Sequence, residues 1–163
     1  MTNKEINIIS NLKEKDEVLA RSYNDLLYFG RAFLPSDFLN KSSSPVFHAE
    51  VSKKLIDTKP GARICNILPR GFGKSILSKA AILHKICFAP KGQRQFIAWV
   101  AEEQGQAIDH LKYVKSHLEY NESIRYYFGN LSGDSVGNRW TEKDIVTTKG
   151  DRLIAKGTSQ RLR

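Results

Sequence analysis

The chain has 163 residues, of which 40% are hydrophobic and 10% aromatic, which suffices for one globular domain with its own core. Its net charge of +9 favours a polyanionic partner such as nucleic acid, although solubility alone can account for such a charge. No stretch reaches the ~18 apolar residues of a membrane span, and the charged N-terminal residues exclude a signal peptide. Cys65 and Cys87 lack metal-site spacing. The composition predicts a soluble intracellular protein with no membrane partner and with buried, reduced thiols.

The N-terminal residues 1–44 are predicted to form a helical segment. Apolar residues recur there at helical spacing in two groups. The groups are Ile6, Ile9 and Leu12, and then Leu19, Tyr23, Leu26, Leu27 and Gly30. We interpret them as two helices separated by a charged bend at residues 13–17, with the second helix ending at Pro35.

The next segment is predicted to contain a loop, a helix and a strand. Residues 40–45 are polar, and Pro45 opens a helix that carries Phe47 and His48 in its first turn. A Lys-Pro-Gly turn follows that helix. The chain then enters an apolar run, residues 64–68, which we predict to be a buried strand.

A glycine-rich turn joins this predicted strand to a helical pattern over residues 76–88. Its sequence is Leu68-Pro69-Arg70-Gly71-Phe72-Gly73-Lys74-Ser75. The two glycines allow a tight turn and a close approach of main-chain N–H groups to an anion, and the helix start adds a positive dipole end. A strand, a glycine turn and a helix in this order are what a phosphate-binding loop requires.

Three polar side chains of the turn suit a nucleotide. Lys74 would lie across the β- and γ-phosphates, and the Ser75 hydroxyl would complete the coordination of Mg²⁺. The Arg70 guanidinium cannot lose its charge and is shaped for bidentate contact with phosphate oxygens. The first glycine of the general pattern is replaced by Leu68. A glycine turn followed by a chance Lys-Ser pair is therefore the alternative interpretation.

The C-terminal half is predicted to alternate strands and helices. Residues 93–101 are expected to form a parallel strand covered on both faces, which completes a strand–helix–strand crossover. Residues 102–120 form a helix with a buried side. That side consists of Ala107, Leu111, Val114 and Leu118, while His110, Lys112, Lys115 and His117 offer a surface either for a phosphate backbone or for water.

Three further features complete the C-terminal half. Glu102 and Glu103 follow the strand, but we do not interpret them as the acids that hold Mg²⁺ and water. Residues 121–138 are expected to be irregular. Residues 140–147 and 152–156 are expected to form a hairpin joined at residues 149–151.

The loop over residues 69–75 resembles the deviant phosphate loop of tailed-phage terminase large subunits, the ATPases that move viral DNA into a capsid. The resemblance extends over residues 34–163. It implies an α/β fold with a P-loop NTPase-like parallel sheet flanked by helices, and ATP and Mg²⁺ as cofactors. It also implies binding by residues 69–75, with Arg70 and Lys74 as the catalytic cations, and contact of Phe47 and His48 with adenine.

The resemblance further implies that residues 45–163 are a partial ATPase domain, because residues 157–163 look like the loop that precedes the family's Walker B strand. The implied partners are double-stranded DNA, the portal protein, the small terminase subunit and further copies of the chain. The implied location is the cytoplasm of an infected bacterium. No nuclease activity is expected. The alternatives are a nucleotide- or DNA-binding module that does not hydrolyse, and a fragment of a helicase-like ATPase.

Overall fold

The computed structural model describes residues 3–38, 44–59, 61–90 and 92–159. These residues form an α/β structure with helices and a small three-stranded mixed sheet. The chain divides into two compact units, Met1–His84 and Lys85–Arg163. Residues 40–43 of the predicted polar loop, and residues 160–163 of the loop predicted to precede a Walker B strand, lie outside the described residues.

The helices of the first unit are α1 (Asn3–Asn24), α2 (Leu26–Phe33), α3 (Pro35–Phe38), α4 (Val46–Ile56) and the part of α5 (Lys74–Phe88) up to His84. The bend predicted at residues 13–17 is wrong, because α1 continues through them; Lys and Glu are good helix formers and extend the helix. The chain turns instead at Asp25. Its carboxylate accepts hydrogen bonds from the N–H groups of Leu27 and Tyr28 at 2.8 and 3.1 Å, and so caps α2.

The core of the first unit is built mainly from α2 and α5. The fully or almost fully buried apolar residues here are Leu26, Phe29, Phe33, Leu34, Leu77, Ala80 and Leu83. His84 is buried as well, and its Nε2 donates to the main-chain oxygens of Ser22 and Tyr23 at 3.0 and 3.1 Å. Because carbonyls in the last turn of a helix lack intrahelical partners, this histidine both caps α1 and attaches α5 to it.

The strand predicted at residues 64–68 is absent, so that prediction is wrong. Residues 61–67 are exposed, and the Ile67 side chain is 90% exposed. No main-chain hydrogen bond joins residues 63–67 to another described residue. A buried strand needs neighbouring strands for its N–H and C=O groups, and the described residues supply none here. The predicted crossover therefore lacks its first strand, and Cys65 is exposed instead of buried.

The second unit contains β1 (Phe96–Ala101), α6 (Gln104–Tyr120), α7 (Glu122–Phe128), a 3₁₀ helix (Gly133–Val136), β2 (Asp144–Val146) and β3 (Arg152–Gly157). β3 lies in the centre of the sheet, parallel to β1 and antiparallel to β2. The predicted hairpin is therefore confirmed. The predicted helix α6 is confirmed too, together with its buried side.

Two expectations for this unit differ from the structure. Residues 121–138 are irregular only in part, because they contain α7 and the 3₁₀ helix; the Asn121 side chain accepts a hydrogen bond from the N–H of Ile124 at 3.0 Å and starts α7. β1 is not covered on both faces, since Phe96 and Val100 are 59% and 46% exposed. As β1 is an edge strand of this sheet and α6 packs on it, one side keeps contact with solvent.

Candidate functional site

The glycine-rich turn has the backbone geometry of an anion-binding loop. Gly71 and Gly73 have φ values of +82° and +72°, in the left-handed region that favours glycine. α5 begins at Lys74, and its first helical hydrogen bond runs from the N–H of Leu77 to the oxygen of Gly73 at 2.9 Å. The N–H groups of the preceding residues, 74–76, meet no acceptor among the described residues. The start of α5 therefore presents open donors.

The Lys74 side chain is folded back over the loop. Its ammonium donates hydrogen bonds to the main-chain oxygen of Leu68 and, at 2.6 Å, to that of Pro69. Within the described part of the chain no carboxylate pairs with it. The positive charge is thus held at the loop by neutral carbonyls, which bind a cation less strongly than an anionic phosphate would.

Ser75 and Arg70 lie on opposite sides of Lys74 in the sequence, and both are exposed. Ser75 is the second residue of α5, so its hydroxyl is next to the open N–H groups. The Arg70 guanidinium forms no ion pair with the described residues. Both side chains are therefore accessible to a ligand at the loop.

The structure brings Phe47 and His48 of α4 to this loop. The Nε2 atom of His48 lies 3.1 Å from the main-chain oxygen of Phe72. The Phe47 ring lies 5.6 Å from the Phe72 ring and 4.5 Å from the His48 ring, measured between centroids. A Cβ atom added at Gly73 would lie 3.4 Å from His48 Nε2. The sequence interpretation named these residues, but it did not predict the contact between α4 and Phe72.

A separate cavity of about 500 Å³ lies between α4 and the segment that follows it. It is lined by Glu50, Lys53, Lys54, Asp57, Thr58, Lys59, Ala62 and Ile64. Its three lysines form no ion pair with the part of the chain that the structure describes. The sequence interpretation missed this cavity. Its lining residues come from one face of α4 and from the segment after that helix, from Glu50 to Ile64, so no short motif marks them.

The basic side of α6 is less open than the sequence suggests. Lys112 pairs with Glu142 at 3.4 Å, and Lys115 pairs with Glu119 at 3.7 Å. The His110 ring packs on Trp99 at 4.5 Å, and His117 Nδ1 accepts a hydrogen bond from the amide of Asn121 at 3.0 Å. The contacts of Lys112 with Glu142 and of His110 with Trp99 attach α6 to other parts of its own unit, while the Lys115–Glu119 pair lies within α6; both ion pairs neutralise part of the charge of α6.

Glu102 and Glu103 lie between β1 and α6, as predicted, and their side chains are exposed. In residues 3–38, 44–59, 61–90 and 92–159, no group of three or more His, Cys, Asp or Glu side chains could hold a metal ion. Mg²⁺ that is bound mainly through nucleotide phosphates and water needs no such group, so the role of Ser75 stays a prediction.

Comparison with known proteins identifies no relative of this chain. No protein-family model matches the chain, and neither a curated protein nor a solved structure matches it. Among the residues that the structure describes, no helix has both the length and the apolar character needed to cross a membrane. Function is therefore inferred from the residues of the loop and from what surrounds them.

Proposed function

We propose that this chain is an ATP-binding portion of a viral DNA-packaging terminase large subunit, which couples ATP hydrolysis to movement of DNA into a capsid. One observation carries the proposal: two glycines with positive φ lead directly into the uncapped start of α5, with the Lys74 ammonium held over the same loop. Open N–H donors, a helix dipole and a cation held only by neutral carbonyls of the described residues together favour a polyphosphate ligand.

The fold that accompanies this function is a P-loop NTPase-like parallel sheet flanked by helices. Residues 45–163 would form part of that domain. The parallel pair of β1 and β3, with α6 packed on both strands, supports this proposal, because parallel strands in such a sheet are covered by helices.

Each residue of the loop has a role in this proposal. Gly71 and Gly73 direct main-chain N–H groups to the phosphates, and Lys74 moves its ammonium from the loop carbonyls to the β- and γ-phosphates. Ser75 offers its hydroxyl to Mg²⁺. Arg70 stabilises charge on the γ-phosphate, whose hydrolysis supplies the energy for translocation.

The aromatic cluster beside the loop would hold the nucleobase. Phe47 is half-buried next to Phe72, and Phe72 is 42% exposed, so an adenine ring could stack on this pair. His48 lies against both residues. The proposed binding set therefore comprises residues 69–75 together with Phe47 and His48.

Double-stranded DNA is the proposed polymeric partner, supported by the net charge of +9. Lys53, Lys54 and Lys59, on α4 and the segment after it, add to this support, because they form no ion pair with the described residues. The portal protein, the small terminase subunit and further copies of the chain are the proposed protein partners. The proposed location is the cytoplasm of an infected bacterium.

The test is titration of a fluorescent ATP analogue with Mg²⁺ into wild type, Lys74→Ala and Lys13→Ala. Lys13→Ala is the matched control, because it removes one positive charge from an exposed position of α1 in the same unit, outside the loop and the α4 cavity. Loss of hydrogen bonds to a charged group is expected to weaken binding about 10- to 150-fold in Lys74→Ala, with no change in Lys13→Ala. Equal affinity in all three proteins would show that the loop does not bind the nucleotide.

A second candidate is a nucleotide- or DNA-binding module without turnover. It is favoured by the lysines that line the α4 cavity and have no ion pair in the described residues. Phosphate release, measured on the same proteins with and without an added segment that carries a Walker B acid, separates the two functions. Release that depends on Lys74 and rises when that segment is added supports the motor, whereas nucleotide or DNA binding with no gain in release supports the module.

A further inference from the structure

We infer that His48 is a positioning residue that fastens the phosphate loop to α4, and that it acts on the phosphate part of a ligand and not on the base. This inference rests on the proposed nucleotide function. It assigns His48 a task different from reading adenine, and it follows from the atoms that the histidine contacts.

The hydrogen bond to the loop shows which nitrogen of the His48 ring carries a hydrogen. The main-chain oxygen of Phe72 can only accept, so the Nε2 atom of His48, 3.1 Å away, must carry the hydrogen. That edge of the imidazole is therefore occupied by the loop. A nucleobase would have to break this contact in order to use the same N–H group.

The contact is made at the centre of the loop. Phe72 lies between the two glycines that have positive φ, so fixing its carbonyl restricts the peptide groups on both sides. His48 also faces Gly73, because a Cβ added at Gly73 would lie 3.4 Å from His48 Nε2. The Phe47 and Phe72 rings, 5.6 Å apart, form a second contact between α4 and the loop.

Consequently His48 stabilises the loop shape that presents N–H donors, whatever the rest of the ligand. Main-chain donors recognise the polyphosphate, which ATP, GTP and inorganic tripolyphosphate share. A residue that positions the loop must affect all three ligands by the same factor. A residue that reads adenine must affect ATP most and leave tripolyphosphate unchanged.

The experiment measures affinities of these three ligands, each with Mg²⁺, for wild type, His48→Ala, His48→Gln and His48→Phe. We expect His48→Ala and His48→Phe to lose about three- to tenfold for every ligand, as is usual for one hydrogen bond. His48→Gln keeps a side-chain N–H and should restore most of the affinity. A loss confined to ATP, or rescue by His48→Phe, overturns the inference.

A ligand-free measurement separates this inference from the proposed function. Trypsin cuts after Arg70 inside the loop and after exposed Arg63 outside it, so the second cut is an internal reference. His48→Ala should speed cleavage at Arg70 about three- to tenfold relative to Arg63, because cleavage follows the open population. An unchanged ratio overturns the inference. A raised ratio, with nucleotide affinity that is insensitive to Lys74→Ala, leaves the contact in place and refutes only the nucleotide function.

Discussion

Replacement of Gly71 by alanine tests whether the loop must keep its observed shape in order to bind a nucleotide. Gly71 has φ +82°, and a Cβ there would meet no atom within 4 Å, so backbone strain is the sole direct effect. An L-residue pays about 1–2 kcal/mol in this conformation. Because the loop is exposed, alanine can relax to negative φ in the free protein, and binding must then restore the strained form. Affinity for a fluorescent ATP analogue with Mg²⁺ should fall about 5- to 30-fold.

Gly61 provides the matched control for this prediction. Its φ is +80°, and an added Cβ would also meet no atom within 4 Å, but it lies outside the loop. Gly61→Ala should therefore carry the same backbone strain without changing nucleotide affinity. Wild-type affinity in Gly71→Ala, or an equal loss in Gly61→Ala, would refute the reasoning.

Three further predictions concern the stability of the second unit. A Cβ on Gly133 would lie 1.7 Å from a β2 carbonyl oxygen, so Gly133→Ala should lower the free energy of unfolding in urea by about 1–3 kcal/mol. A Cβ added at Gly105 on α6 would meet no atom within 4 Å, so Gly105→Ala should raise the free energy of unfolding by about 0.5–1 kcal/mol. Changes of the same sign in Gly133→Ala and Gly105→Ala would contradict this pair of predictions. Burial acts to raise the pKa of Asp144, but hydrogen bonds from Arg152 and Arg139 outweigh it and hold the pKa below its usual value. A carboxyl group whose pKa is lower in the folded state stabilises the fold above its unfolded-state pKa, and this stability is lost as the pH falls through its folded-state pKa. Asp144→Asn should therefore lower Tm at about pH 7 and scarcely change it at about pH 2. An equal decrease in Tm at the two pH values would contradict this prediction.

Local patterns in the sequence were enough to predict several elements. The apolar spacing in α6 predicted its buried side, and the short strands around residues 149–151 predicted the hairpin, because their partners are close in the chain. Asn121 shows a signal that was missed. Its side chain caps α7, and Asn is a preferred residue at that position.

Features that depend on distant residues could not be predicted in the same way. An apolar run such as residues 64–68 is a buried strand only when other strands flank it, and its own sequence does not reveal them. The contact between His48 and Phe72 joins residues 24 positions apart, and it depends on how α4 is placed beside the loop. Periodicity predicted that α4 exists, but not which of its side chains reaches the loop.

The exposed segment at residues 63–67 has a consequence for how the loop moves. Amide hydrogens without an acceptor exchange with water almost as in an unfolded chain, whereas those inside α5 exchange only when the helix opens. On the entry side, the loop can thus shift without breaking a hydrogen bond between main-chain groups of the described residues. Its restraints are the Lys74 hydrogen bonds to Leu68 and Pro69, the first helical bond at Gly73, and the contacts of α4 with Phe72. The local free energy of opening should therefore rise steeply along the chain, from almost nothing at Ile67 to that of a packed helix at Leu77.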